Sequence, residues 1–183
     1  MEFNTSNLVR VLNALMDADI KYEMNGMVGK VRNLAGTEPD EIHQLDCSGF
    51  VEYVIFKSTV HNVNMPSGSR RQRSFIERGH TEVDYASNAP LIDNTVRVGF
   101  RDAEHEGHGK ERHRTKAGHV WLVVNGTTFE STSRGGRRKG PKCFEWSART
   151  RQADHFFTLG PAPNFAASYA FLALQQNGFS WLE

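Results

Sequence analysis

Two residues with complementary chemistry stand at the starts of predicted elements: Cys47, which heads a helical pattern, and His119, which heads the apolar run 119–124. A thiol becomes a strong nucleophile once it loses its proton, and imidazole is well suited to accept a proton near neutral pH. The positive end of a helix favours the thiolate, and its unpaired backbone N–H groups can bind an oxyanion. The pair predicts covalent catalysis by cysteine, against the plainer interpretation of a buried cysteine and a structural histidine.

The residues around Cys47 predict the helix that would carry it. Asp46 is a natural N-cap, and Ser48 adds a hydroxyl beside the thiol. Apolar residues follow at three, four, seven and eight positions, on the same helical face as the cysteine: Phe50, Val51, Val54 and Ile55. An amphipathic helix beginning at or next to the thiol is therefore expected.

A third candidate follows from the register of a predicted hairpin. Asn125-Gly126 is a strong signal for a two-residue turn, here between strands 119–124 and 127–132. That register places Glu130 diagonally across from His119, within reach of a long side chain that would fix the tautomer of the imidazole. The competing interpretation of Glu130 is a solvated carboxylate on a strand.

Two neighbours of Glu130 remain alternatives for the third position. Thr132 lies directly opposite His119 on this register but offers only a hydroxyl. Ser131 is polar but points to the other face, because side chains alternate along a strand.

The cysteine and histidine segments together resemble a known family. Asp46-Cys47-Ser48-Gly49-Phe50-Val51, then Gly118-His119-Val120 at a strand start and a polar residue in the next strand, resemble the NlpC-type papain-like cysteine peptidases of bacterial cell-wall turnover. The resemblance covers approximately residues 20–160, and the cysteine segment is its most specific part. Cysteine precedes histidine, as in the main branch of the family.

The resemblance implies hydrolysis of peptidoglycan stem peptides, commonly at the amide between D-glutamate and the following diamino acid, with no cofactor or metal. Cys47 would be the nucleophile, His119 the base and Glu130 the third member, although this position is often histidine in the family. The cysteine segment would also supply oxyanion or substrate contacts through its backbone and its neighbours Asp46 and Ser48. Tyr22 is similar to an aromatic residue that helps to hold substrate, although the loop between it and Cys47 is long here.

The remaining pattern predicts the elements that must position these residues. It favours a single α+β domain over 1–183, with a papain-like core at about 20–160, a helical N-terminal half and the nucleophile helix packed on a C-terminal antiparallel sheet. Besides the elements named above, we expect helices at 6–18, 69–78 and 164–177, strands at 96–101 and 155–159, and loops at 22–45, 102–118 and 133–142. The strand 96–101 alternates as if one face were buried. The segment 80–117 is longer than the corresponding part of a minimal domain of the family, and the sequence assigns it no function.

Composition limits the partners. The charges of the 22 basic and 21 acidic residues nearly cancel, so no global charge favours binding to nucleic acid or to a membrane surface. The protein is expected to be a monomer. Three histidines stand at positions 105, 108 and 113 without a zinc-motif spacing, which favours a solvated loop over a metal site. An arginine cluster (Arg70, Arg71 and Arg73) is interpreted either as wet surface or as contacts to an acidic stem peptide.

The two cysteines are too few for a disulfide framework, so Cys143 is expected to be a second free thiol. No signal peptide is visible, which predicts synthesis in the cytoplasm and delivery to the bacterial wall by phage or by a specialised secretion route. An injected effector would require an inhibitor (immunity) protein in the producing cell. Two functions compete with wall hydrolysis: a cysteine-dependent thioesterase, acyltransferase or isopeptidase, and a catalytically degenerate wall-binding module.

Overall fold

The computed structural model describes residues 1–24, 30–106, 113–133, 140–148 and 152–168. Helices pack against a five-stranded antiparallel sheet, which confirms the predicted α+β class. The helices are α1 (Thr5–Asp17), α2 (Cys47–Ser58), α3 (Ser69–Ile76) and α4 (Tyr85–Asn88), with 3-10 turns at Pro39–Glu41 and Trp146–Ala148. The strands are β1 (Thr95–Arg101), β2 (Glu104–Glu106), β3 (His113–Lys116), β4 (His119–Val124), β5 (Thr127–Thr132), β6 (Gly140–Glu145) and β7 (His155–Pro161).

Helix α2 lies at the centre of the main core, between α1 and the sheet. The expected helix start at Cys47 is confirmed, but the expected amphipathic character is wrong, because α2 is buried on nearly all sides. Even Glu52, on the side away from the predicted apolar face, is only 8% exposed and lies beside the Ser67 hydroxyl. A helix apolar all round is typical of an element enclosed by others.

The main sheet has the strand order β6-β5-β4-β1-β7, and every neighbouring pair in it is antiparallel. The turn between β4 and β5 is confirmed: Asn125 and Gly126 both have positive φ, 47° and 69°, as a type I′ turn requires. The predicted pairs of Val124 with Thr127 and of Leu122 with Phe129 are also observed. Alternate residues of β4 therefore point to opposite faces of the sheet, each face packed against its own hydrophobic cluster, and this register fixes the side-chain directions along the hairpin.

Strand β1 departs from the expectation of one buried face, because its five middle residues are all buried. The second face of the sheet is covered by an aromatic cluster in which Tyr85 of α4 packs edge-on against Trp121 and Phe156. Arg97 is buried on this face, with its guanidinium paired to the carboxylate of Asp93. Residues 80–117 thus include a central strand and part of the second core.

Gly99 of β1 lies directly under the indole of Trp121, its cross-strand partner. A Cβ at this position would lie 2.5 Å from Trp121 Cε2, and a buried indole in a packed sheet has little room to move. We expect Gly99→Ala to destabilise the protein by about 1–3 kcal/mol and to lower Tm by roughly 3–10 °C in thermal denaturation. Gly79→Ala is the control, since a Cβ there meets nothing within 4 Å; equal losses in the two variants would contradict the packing argument.

Several other predicted boundaries change. The expected loop 102–118 contains the two-stranded pair β2–β3. Residues 140–142, expected in the loop 133–142, belong to strand β6, which pairs with β5 at the edge of the main sheet. The loop 22–45 contains the short 3-10 turn, while the predicted helix 69–78 ends at Ile76. Of the predicted helix 164–177, residues 165–168 are helical and the part from 169 lies outside the described residues, as do His108 and 134–139.

Among the described residues, no helix has the length and apolarity needed to cross a membrane. Within the same part of the chain, no three histidine, cysteine, aspartate or glutamate residues come together as a metal-binding group.

Candidate active site

Cys47 is the first residue of α2, and Asp46 caps the helix through its side chain. The Asp46 Oδ1 atom accepts the backbone N–H of Gly49 at 2.6 Å and the hydroxyl of Ser48 at 2.9 Å. This cap fixes where the helix begins and so fixes the backbone of the thiol. Asp46 and Ser48, predicted to contact substrate or oxyanion, bind each other in the structure; their contact with substrate stays a prediction.

The sulfur of Cys47 lies beside the start of β4. The backbone N–H groups of Val120 and Ser48 donate to the sulfur, and the Tyr22 side chain also forms a hydrogen bond with it. Because Val120 follows His119 directly, the contact from its N–H places the Cys47 sulfur at the strand end that carries the imidazole. The cysteine is 7% exposed.

The surroundings of Cys47 favour the protonated thiol, whereas the helix terminus by itself favours the thiolate. Burial first, and then the adjacent Asp46 carboxylate, raise the pKa of Cys47 to about 12, against the lowering effect of the two backbone N–H donors. These effects oppose ionisation of the sulfur at neutral pH, so nucleophilic attack by Cys47 would require a base that removes the proton as the thiol attacks.

We expect Asp46→Asn to lower the pKa of Cys47, because the amide preserves the size of the cap and removes the negative charge that opposes a thiolate. Alkylation of Cys47 by iodoacetamide should then reach its half-maximal rate at lower pH, measured by mass spectrometry of the labelled peptide across a pH series. In the unmodified protein, the exposed Cys143 should label faster than the buried Cys47 at pH 7. Fast labelling of Cys47 at pH 7, with the same pH of half-maximal labelling in Asp46→Asn, would contradict a raised pKa of the thiol.

His119 is the first residue of β4, and its Nε2 lies 2.8 Å from Oε2 of Glu130 on β5. Both residues are buried, at 7% and 5% exposure. An ionised Glu130 carboxylate would accept the Nε2–H of the imidazole, and Nδ1 would then be the ring nitrogen left for proton exchange. Trp121 stacks on the imidazole with ring centroids 5.8 Å apart, which holds the ring plane from a second side.

The geometry separates the three candidates for the third position. The Ser131 hydroxyl points to the opposite face, as the register predicts, and donates to the carbonyl of Leu45 at 2.7 Å. Its contact supports the segment that leads to Cys47, not the imidazole. Thr132 is buried near the end of β5, and the carboxylate of Glu130 is the group at 2.8 Å from His119 Nε2. The catalytic roles of all three stay predictions.

Tyr22 reaches the site despite the long intervening chain. Lys21 pairs with Gln44 as an isolated parallel bridge, with hydrogen bonds from Lys21 N to His43 O and from Leu45 N to Lys21 O. The bridge closes the loop at its base, so that loop length does not determine where Tyr22 lies. Burial and the nearby Cys47 raise the pKa of the Tyr22 phenol, which therefore stays a hydrogen-bond donor at neutral pH.

The sequence did not predict three contacts of the site. The Gln72 Nε2 atom on α3 donates to the Ser48 carbonyl at 2.8 Å, although 24 residues separate them, and no local pattern marks this contact. The N–H of Val120 depends on how α2 meets the sheet and carries no sequence signal. The stacking of Trp121 on His119 could have been inferred, since residues two apart on a strand share a face.

No model of a known protein family matches the chain, and no curated protein matches it. Among solved structures, the P60 domain of an antigen from M. avium subspecies paratuberculosis is similar, at 14% identity over 84% of this chain and 92% of that chain, with a TM-score of 0.46. The function proposed below therefore depends on the residues of the site.

Proposed function

We propose that the protein is a cysteine amidohydrolase that cleaves peptidoglycan stem peptides, at the amide between D-glutamate and the following diamino acid. The observation that carries the hydrolase is the convergence of three elements: the thiol at the start of α2, the imidazole at the start of β4, and the Glu130 carboxylate on β5 at 2.8 Å from that imidazole. The choice of substrate depends on the resemblance of the cysteine and histidine segments to the NlpC-type peptidases.

The proposed reaction begins with proton transfer from the Cys47 thiol to His119 Nδ1 as the sulfur attacks the scissile carbonyl. The Glu130 carboxylate stabilises the imidazolium that forms, because it accepts the Nε2–H in a buried setting. The backbone N–H of Cys47, the first residue of α2, contributes to binding the tetrahedral oxyanion. His119 then protonates the departing amine, and water releases the acyl group from the enzyme in the reverse sequence of proton transfers.

Product mapping tests the substrate and the bond. Purified sacculi digested with the protein should yield fragments with a new free amine on the diamino acid and a new carboxyl on D-glutamate, identified by mass spectrometry. Parallel assays on acyl thioesters and ubiquitin-like conjugates examine the competing acyl-transfer chemistry. Turnover confined to those substrates would replace the wall hydrolase with an acyl-transfer enzyme, and binding of sacculi without any turnover would favour a wall-binding module.

A further inference from the structure

We propose that an arginine-lined cleft beside His119 is a subsite for a carboxylate of the peptide substrate. The inference depends on the proposed function for the identity of the peptide. It adds a specificity: an acidic peptide is preferred to the same peptide with its carboxylates amidated.

The cleft has a volume of about 600 Å³ and lies between the start of α3 and the site end of β1 and β4. Its wall includes Gly118, the residue before His119, and Arg101, the cross-strand partner of His119. The packing of α3 against this wall is close, since a Cβ on Gly118 would lie 2.9 Å from the hydroxyl oxygen of Ser69. The cleft therefore adjoins the strand end that carries the base.

The charge of the lining is one-sided. Four arginines and one aspartate contribute to it: Arg70, Arg71, Arg73, Arg101 and Asp102. Arg73 forms ion pairs with Asp102 and with Glu77, so its charge is already balanced. Arg70 and Arg71 are exposed, and within the described ranges no carboxylate pairs with either. In a chain whose charges otherwise nearly cancel, this is a local excess of positive charge facing a cleft.

The same two arginines also line a second cleft of about 550 Å³, on the adjoining side of α3. The N-cap of α3 is Gly68, which offers no side-chain hydrogen bond, so the first backbone N–H groups of the helix add partial positive charge at the edge of the first cleft. Guanidinium groups bind carboxylates through paired N–H donors, which gives both affinity and orientation. A carboxylate is the anion that a peptide substrate supplies.

The position of α3 relative to the nucleophile is fixed. The fully buried Gln72 lies between Arg71 and Arg73 in the sequence, and its side chain donates to the Ser48 carbonyl at 2.8 Å. The backbone that carries Arg70 and Arg71 is therefore held at a fixed position relative to the start of α2. This arrangement would make the arginines determinants of which peptide is cut, without a role in the bond-breaking step.

The test compares two synthetic substrates, L-Ala-γ-D-Glu-meso-diaminopimelate and its counterpart with both free side carboxylates converted to amides. We expect the unmodified protein to cleave the acidic peptide about tenfold more efficiently, measured as kcat/KM, with most of the difference in KM. In Arg70→Gln/Arg71→Gln the preference should fall to less than about twofold, through loss of activity on the acidic peptide alone. The preference should also weaken as ionic strength rises.

Arg10→Gln is the matched control, because Arg10 is an exposed arginine far from the cleft. Its partner Glu38 also binds Lys57, which lies in the last turn of α2, at the end opposite Cys47. It should retain the full preference. An equal preference in the unmodified protein and the double variant would overturn the subsite and leave the hydrolase standing. If neither peptide is cleaved, calorimetric titration of the acidic peptide into Cys47→Ala decides: no binding, or binding unaffected by the two arginine substitutions, overturns the subsite.

Discussion

Replacing Cys47 with alanine is expected to remove hydrolysis of peptidoglycan peptides, with a loss of at least about a thousandfold in kcat. The expectation follows from the position of the sulfur, which receives the N–H groups of Val120 and Ser48 and the Tyr22 contact, because alanine has no atom there that could attack a carbonyl. His119→Ala should cost a similar factor, because a thiol whose pKa is raised to about 12 cannot ionise at neutral pH without a base. The measurement is release of soluble fragments from sacculi.

Cys143→Ala is the matched control. This second cysteine is exposed on β6, opposite Phe129, and should be replaceable with less than a twofold change in rate. Cys47→Ala should remain folded by circular dichroism, since it removes one sulfur atom from a core cluster that many larger side chains maintain. Retention of turnover by Cys47→Ala would disprove the proposed mechanism at its first step.

Replacing Glu130 with glutamine is expected to lower kcat by about 100-fold to 10,000-fold while leaving KM nearly unchanged. Glutamine keeps the volume of the side chain but loses the charge that stabilises the imidazolium. Its amide can also donate to Nε2 and so favour the wrong tautomer of His119. Glu130→Gln is more informative than Glu130→Ala, because deletion of one partner from a buried pair also destabilises the fold.

Two neighbours on β5 provide the controls. Thr132→Val should reduce kcat less than tenfold, because the carboxylate at 2.8 Å already holds Nε2. Ser131→Ala removes a buried hydrogen bond to Leu45 and should lower stability by about 1 kcal/mol, with a smaller effect on kcat than Glu130→Gln. If Thr132→Val proved more damaging to kcat than Glu130→Gln, the third position would belong to the threonine.

The structure also changes the expected protonation of Cys47 at the start of the proposed reaction. A helix N-terminus alone favours a thiolate, but Cys47 is enclosed by the sheet and lies next to the carboxylate that caps its own helix. Burial and like charge act together against ionisation, and two backbone N–H donors do not offset them. The proposed reaction should therefore resemble general-base hydrolysis more than attack by a preformed thiolate–imidazolium pair. The faster alkylation of Cys143 at pH 7 is the corresponding observable.

The sequence by itself determined the elements whose signals are local. The Asp46 cap and the apolar spacing after it locate the start of α2 at the thiol, and the Asn125-Gly126 turn sets the register that brings Glu130 toward His119. These succeed because a cap, a helical period and a two-residue turn each depend on residues within a few positions of one another. In an antiparallel hairpin, register then determines which side chains share a face.

Only the tertiary structure decided the environment of those residues. The central place of β1, the covered second face of the sheet, the contact of Gln72 with Ser48 and the cleft between α3 and β4 all join segments far apart in the chain. Burial of Cys47 belongs to the same class. The pKa of a side chain depends on every group packed around it, whereas a sequence pattern reports only the group's own helix or strand. The identity of the candidate residues was therefore readable from the chain, and their protonation and neighbours followed from packing.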